Sequence, residues 1–162
     1  MQQASSYPID LLQATHADLP VLRDLLHAAY AEYEGKLDPP VGAYKETVAS
    51  LGEKLSHGQA IKAISAETIV GCVFFHAEAT SLYFGRLAVL PAYRRHGIGR
   101  QLVDAVETYA RQQKFARVTL GVRLAIPANI AYYEKLGYRI VSYSSHPGYT
   151  ILTSASMEKV LS

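Results

Sequence analysis

The sequence predicts a mixed α/β (α+β) chain in the order β-α-α-β-β-β-α-β-α-β-β, with about seven strands and about four helices. Three observations predict it. Apolar residues recur at helical spacing up to about Ser56 and at strand spacing from Ala60. Two later segments return to helical spacing, and glycine or proline stands where their boundaries should fall. The chain is also 49% apolar and 19% charged, the balance of an ordinary globule and not of a disordered tail.

Taken in order, Tyr7, Ile9 and Leu11 alternate and make residues 7–13 a first strand. Thr15 and Asp18 offer N-cap oxygens and Pro20 suits a first helical turn, so a helix begins there. Leu19, Leu22, Leu26, Tyr30 and Tyr33 form its inward stripe. Glu32, Glu34 and Gly35 close it before the Asp38-Pro39-Pro40 break. A second helix runs from about Tyr44 to Ser56, with Val48, Leu51 and Leu55 inward. The Gly- and Pro-bearing segment between the two is either a mobile lid or an ordered wall. Residues 60–66, 68–78 and 81–90 read as three strands joined by short turns, an antiparallel meander. A helix from Gly97 to about Gln113 buries Ile98, Leu102, Ala105, Val106 and Tyr109. Val118, Leu120 and Val122 alternate as another strand, and Pro127 and Gly137 frame a short helix. Residues 138–145 and 150–160 close the chain as a hairpin around His146-Pro147-Gly148-Tyr149, where Pro-Gly suits a type II turn.

At 162 residues one domain is expected. A formal charge of +2 is too small to imply a nucleic-acid partner. The single cysteine, Cys72, lies within the apolar run Ile69–Phe75 and reads as core; with no second thiol it fits a reducing compartment. Residues 1–6 have neither a basic nor an apolar leader region, no apolar run reaches membrane-spanning length, and no His/Cys spacing suggests a metal. A cytoplasmic location follows as an expectation, with no membrane or nucleic-acid partner and a monomer or homodimer as the assembly.

Basic charge concentrates in one place. Leu87-Ala88-Val89-Leu90-Pro91 is an apolar run broken by proline, followed by Ala92-Tyr93-Arg94-Arg95-His96-Gly97-Ile98-Gly99-Arg100 at the start of the third helix. A helix start carries unpartnered N–H groups and partial positive charge, and glycines let an anion approach the bare backbone. With Arg94, Arg95 and Arg100 around it, the turn reads as a cradle for a polyanion such as a pyrophosphate. It is neither a P-loop nor a G-x-G-x-x-G fingerprint.

This run of strand, proline, basic turn and helix resembles the acetyl-CoA site of the GCN5-related N-acetyltransferases, the GNAT superfamily. That signature, Gln/Arg-x-x-Gly-x-Gly/Ala, reads here Arg94-Arg95-His96-Gly97-Ile98-Gly99. The element order is also that family's, so the resemblance covers nearly the whole chain. It implies a single acyltransferase domain over residues 1–162 with a mainly antiparallel central sheet flanked by helices. It further implies that acetyl-CoA (coenzyme A) is held by Leu87, Ala88, Val89, Arg94, Arg95, His96, Gly97, Ile98, Gly99 and Arg100.

Asn129-Ile130-Ala131-Tyr132-Tyr133-Glu134-Lys135-Leu136-Gly137-Tyr138 is similar to the family's Tyr-Glu-Lys-Leu-Gly-Phe/Tyr segment. The family's functional tyrosine lies four residues before the glycine, which selects Tyr133 and leaves Tyr132 at a packing position. Asn129 shares a helix face with Tyr133. The commoner family asparagine would fall at Ile126, so Asn129 either replaces it in holding coenzyme A or serves only the helix. By resemblance Tyr133 donates a proton to the leaving sulphur, and a backbone N–H on the strand ending at Val89 meets the oxyanion. The family's strand glutamate is absent, since its position is Tyr83. Glu78, His76, Glu34, His146 or a chain of waters are the candidates for the base. Arg86 alternates away from Leu87 and Val89 unless a bulge reverses the parity. Tyr30, Glu34, Tyr83 and His146 are expected to border the acceptor, with Tyr33 and Tyr149 beside them.

The resemblance thus implies an acetyl-CoA-dependent N-acetyltransferase that acts on a primary amine of a small molecule or peptide by direct attack on the thioester. Two other readings stand beside it. One is a module of the same fold that binds acyl-CoA with little turnover, suggested by the missing carboxylate at Tyr83. The other is a binder of a different phosphate ligand, such as a nucleotide regulator.

Overall fold

The computed structural model describes residues 8–162, so Tyr7 and the predicted leader-free segment lie outside the described residues. Its strands and α-helices are β1 (Asp10–Gln13), α1 (Leu19–Tyr30), α2 (Val48–Ser56), β2 (Gln59–Ser65), β3 (Thr68–Glu78), β4 (Ser81–Val89), α3 (Ile98–Gln112), β5 (Arg117–Arg123), α4 (Pro127–Lys135), β6 (Arg139–Ser144) and β7 (Ser154–Val160). The sheet order is β1-β2-β3-β4-β5-β7-β6. β4 and β5 run parallel, while β1–β2, β2–β3, β5–β7 and β6–β7 are antiparallel. This is the predicted mixed, mainly antiparallel sheet in the predicted element order.

Packing divides the chain into two compact units. The first takes the chain through His76 together with Arg86–Val106. Its core sets α1 on the sheet through Leu19, Leu22, Leu25, Leu26 and Ala29, against Ala60, Cys72, Phe74 and Ala88. Each such leucine contributes roughly 1.5–3 kcal/mol when fully buried. Gly71 lets α3 approach closely, since a Cβ there would lie 3.1 Å from the Ala88 carbonyl and 3.3 Å from Leu102. The second unit takes Ala77–Gly85 and Glu107–Ser162. Val118, Leu120 and Val122 of β5 and Ala155 and Met157 of β7 are buried there, with Leu82 and Phe84 of β4.

Several features differ from expectation: β1 starts at Asp10, and α1 ends at Tyr30 with Ala31–Tyr33 in a separate 3-10 turn. α2 starts at Val48, and Tyr44 lies in a separate 3-10 turn over Gly42–Lys45. The reason is a reciprocal cap: Ser50 N–H donates to Thr47 Oγ1 at 3.0 Å and Thr47 N–H to Ser50 Oγ at 2.8 Å. β7 starts at Ser154 and not residue 150, leaving Ile151 and Leu152 exposed. In α3 the stripe turns slightly, so that Val103 and Ala110 are fully inside and Ala105 and Tyr109 half-buried. The predicted type II turn is present: Gly148 has φ +85°, and Tyr149 N–H donates to the His146 carbonyl at 3.0 Å.

Candidate functional site

In the first unit, Pro91–Tyr93 form a 3-10 turn after β4, and the chain then enters α3 through two left-handed residues, Arg95 (φ +67°) and Gly97 (φ +80°). Anion-binding nests are built from turns that include left-handed residues. The Gly97 carbonyl accepts from Gln101 N–H at 3.0 Å, so Gly97 is the last residue before the helix. A Cβ built on Gly97 would meet nothing within 4 Å, so the approach to this helix start is open. Ile98 is buried and anchors the first turn, while Arg95 and Arg100 are exposed.

Arg94 behaves differently from its neighbours. Its guanidinium turns back to α1, donating to the Ala29 carbonyl at 2.7 Å and to Glu32 at 2.5 Å, with Nε 3.4 Å from the Val89 carbonyl. Arg94 therefore fastens the turn to the end of α1, where a cation is favoured.

The second half of β4 is held from the same side. Arg86 has φ +54° in the middle of β4, with Leu82 and Phe84 buried before it and Ala88 buried after it. The Arg86 carbonyl accepts from the Cys72 thiol at 3.7 Å and the Leu87 carbonyl from the Tyr30 hydroxyl at 2.7 Å. Peptide planarity then directs the N–H groups of Leu87 and Ala88 the opposite way. Burial raises the Tyr30 phenol to about 12, so it stays a donor throughout the physiological range. Arg86 Nε donates to Glu46 Oε2 at 2.6 Å, and Glu46 is buried. Burial opposes its ionisation, but hydrogen bonds from Ser50 and Arg86 and the charges of Arg86 and Lys54 outweigh this and hold the carboxyl below its usual value. Glu34 is exposed and accepts from the Tyr44 hydroxyl, a bond that raises the Tyr44 phenol.

In the second unit the Tyr133–Tyr138 spacing has a mechanical origin. Gly137 has φ +98°, Gly137 N–H donates to the Glu134 carbonyl and Tyr138 N–H to the Tyr133 carbonyl, both at 3.0 Å. That pair of bonds is a Schellman motif, which brings the residue after the glycine onto the one five before it. The Tyr133 ring is buried against Phe84 (centroids 6.0 Å apart), Tyr138 (6.2 Å) and Tyr132 (5.1 Å). Tyr132, expected to pack, is 36% exposed and covers Tyr133 by its edge. Tyr138 donates to buried Glu107 at 2.8 Å, and Lys159 reaches the same carboxylate at 3.0 Å. Asn129 is half-buried one turn before Tyr133, and Ile126 is buried at the α4 N-cap.

Tyr83 is half-buried, with its ring over Gly85 and its hydroxyl 3.6 Å from where a Gly121 Cβ would stand. His146 N–H donates to Thr153 Oγ1 at 2.9 Å, and its Nδ1 meets the same hydroxyl. Desolvation, with Arg123 nearby, lowers the imidazole pKa from 6.5.

The candidates thus fall into two sets. Tyr30, Glu34, Leu87, Ala88, Val89 and Arg94–Arg100 belong to the first unit; Tyr83, Asn129, Tyr133 and His146 belong to the second. Sequence reasoning missed the Glu46–Arg86 pair. An arginine inside the apolar run Leu82–Val89 was the available signal; Glu46, 40 positions away, offered none.

A family model described as "Acetyltransferase (GNAT) family" matches residues 19–138. The chain is 30% identical over 107 residues to the catalytic subunit of the N-terminal acetyltransferase B complex of Schizosaccharomyces pombe, covering 61% of this chain and 59% of that protein. It is 27% identical over 88 residues to a probable N-acetyltransferase 14 of Xenopus tropicalis, covering 53% of this chain and 43% of that one. Both matches span less than two thirds of the relative's own length. The fold is shared with the ribosomal-protein-S18-alanine N-acetyltransferase of Escherichia coli (TM-score 0.79, 18% identity, 96% of this chain and 95% of that one). It is also shared with the PaiA N-acetyltransferase of Thermoplasma acidophilum in complex with coenzyme A (TM-score 0.78, 18% identity, 95% and 99%). Among the described residues no helix is long and apolar enough to cross a membrane, and no cluster of His, Cys, Asp and Glu could hold a metal.

Proposed function

The chain belongs to the acetyltransferase (GNAT) family, and on that premise we propose that it transfers an acetyl group from acetyl-CoA to a primary amine of a peptide or small molecule. The observation that carries this reading is the turn at Arg95–Gly97, with two left-handed residues and open space ahead of α3. Its donors suit a diphosphate, with the exposed Arg95 and Arg100 supplying charge and Gly97 leaving room. Arg94 serves the same site indirectly, by fixing the turn to α1.

Acetyl-CoA would supply the activated acyl carbon and a thiolate leaving group. The amine's lone pair forms the C–N bond as the C–S bond breaks; the amine loses one proton and the sulphur gains one. We assign the N–H of Leu87 or Ala88 to the charge that develops on the acyl oxygen, because their carbonyl partners are tied down by Cys72 and Tyr30. Such a preorganised donor is worth about 3–4 kcal/mol of barrier. Tyr133 is assigned as the acid at sulphur. With Tyr83 at the strand-carboxylate position, solvent takes the amine proton in this scheme. Asn129, Tyr83, Glu34 and His146 are assigned to the surroundings of coenzyme A and acceptor, and the chain is read as a single acyltransferase domain. The free, buried Cys72 is consistent with a cytoplasmic setting.

The test is thiol release from acetyl-CoA in the presence of hexapeptides with free N-termini, lysine, spermidine and tyramine. Release with at least one amine, matched by acetylated product, is expected. Tight coenzyme A binding without release for any of them would favour the second reading, an acyl-CoA-binding module, which Tyr83 motivates.

A further inference from the structure

We propose that Glu46 and Arg86 form a clamp that positions the second half of β4 for acyl transfer, acting through the backbone and not on the substrate. The inference rests on the acetyltransfer reading above. Arg86 holds φ +54° inside a strand, a conformation that glycine adopts freely and an L side chain disfavours. Glycine stands next door at position 85, yet the strained position belongs to the arginine. Something must hold it there.

Three features converge on that one side chain. Its Nε donates to Glu46 Oε2 at 2.6 Å, and Glu46 is only 5% exposed. The carboxylate is itself fixed by Ser50 Oγ at 2.5 Å and Lys54 Nζ at 3.6 Å, while His27 Nε2 lies 2.9 Å from the Glu46 carbonyl. Gly42 clears the path, since a Cβ there would stand 2.9 Å from Arg86 Nη2. An exposed ion pair of little energetic worth would need none of this.

The backbone consequence follows from the same contacts. The φ of Arg86 sets the directions of the Arg86 and Leu87 carbonyls, which Cys72 and Tyr30 take up. Those directions fix the opposed N–H groups of Leu87 and Ala88. Without the clamp the backbone relaxes toward ordinary extended values and these groups rotate. The diphosphate turn at Arg95–Gly97 is untouched. Turnover should therefore fall while the grip on acetyl-CoA stays.

The experiment compares Arg86→Ala, Arg86→Gly and Glu46→Gln, using acetyl-CoA and the hexapeptides. It reads kcat, KM for acetyl-CoA, and amide hydrogen exchange over residues 84–90. Alanine lacks the guanidinium and, like arginine, is disfavoured at a positive φ; glycine lacks the guanidinium but adopts that φ freely. Arg86→Ala should lower kcat about tenfold with KM changed less than about twofold, and should exchange faster over 84–90. Arg86→Gly should recover kcat to within about threefold of wild type with near-native exchange, and Glu46→Gln should fall between. Equal losses in Arg86→Ala and Arg86→Gly would overturn the proposal, because the guanidinium itself would then be the agent. Wild-type kcat and exchange in Arg86→Ala would overturn it as well. Should Arg86→Ala not fold, Glu46→Gln decides: slower turnover at unchanged KM with faster exchange supports the clamp, and native values of both overturn it. If the wild-type chain releases no thiol with any amine, the acetyltransfer reading falls and exchange alone decides. A difference between the alanine and glycine variants then sustains the clamp, and no difference overturns it.

Discussion

The turn at Arg94–Arg100 and the ring cluster around Tyr133 are built on opposite principles. The first uses main-chain geometry: two residues at positive φ, a helix start and open space at Gly97. The second uses packed side chains: Phe84, Tyr132 and Tyr138 within 5.1–6.2 Å of the Tyr133 ring. A site made of backbone tolerates changes of side chain but not of φ. A site made of side chains tolerates the reverse. The difference teaches which substitution should hurt which step.

The largest expected effect is at Tyr133. Tyr133→Phe keeps the ring and its packing but removes the proton, so kcat should drop about 10²-fold or more. Its affinity for coenzyme A, measured by calorimetry, should change less than about twofold. Undiminished turnover would remove Tyr133 from the chemistry and leave it as packing alone. Gly97→Val should invert this profile. A β-branched residue at φ +80° is strained by about 1–2 kcal/mol, and its branches fill the open approach. Coenzyme A binding should weaken at least about tenfold, with any loss of kcat at saturation smaller. A variant that kept wild-type affinity would show that the main-chain turn is not the diphosphate grip.

The smallest effect concerns pH. The folded-state pKa of His146 lies below its ordinary 6.5, so its neutral form is favoured by folding. That contribution is complete above pH 6.5 and is lost as pH falls through the lower folded value. Glu46, also depressed, adds a separate loss only below its ordinary 4.5. Thermal midpoints of wild type and His146→Gln should therefore converge slightly as pH drops from 7 toward 5. Parallel curves would show that desolvation and the charge of Arg123 leave the imidazole's titration unchanged.

The legible parts of this molecule were local. Pro127 and Gly137 bounded α4 as expected because each solves a backbone problem at its own position. Pro147-Gly148 made its turn for the same reason. The basic turn was recognisable because glycine spacing and the preceding strand lie within one short segment. What stayed hidden is long-range. Arg94 reads as one of the turn's basic residues, but its partners Ala29 and Glu32, more than sixty positions away, leave no sign beside it. Tyr30 reads as part of the inward stripe of α1, but the bond from its hydroxyl to the Leu87 carbonyl, 57 positions later, is equally hidden. Arg86 stands out in the sequence only as an arginine within an apolar run, while its positive φ and its partner Glu46, 40 positions earlier, show only in the folded chain. No period or motif encodes such pairs, because each depends on how distant segments happen to meet.

One further property follows from where the only cysteine sits. Cys72 is fully buried, and burial pushes its thiol up to about 12, leaving almost no thiolate at neutral pH. A disulfide reagent that titrates coenzyme A freed in solution will not see it while the chain is folded. Each molecule that opens adds one equivalent of colour, so the same cuvette that follows the reaction also counts the denatured fraction.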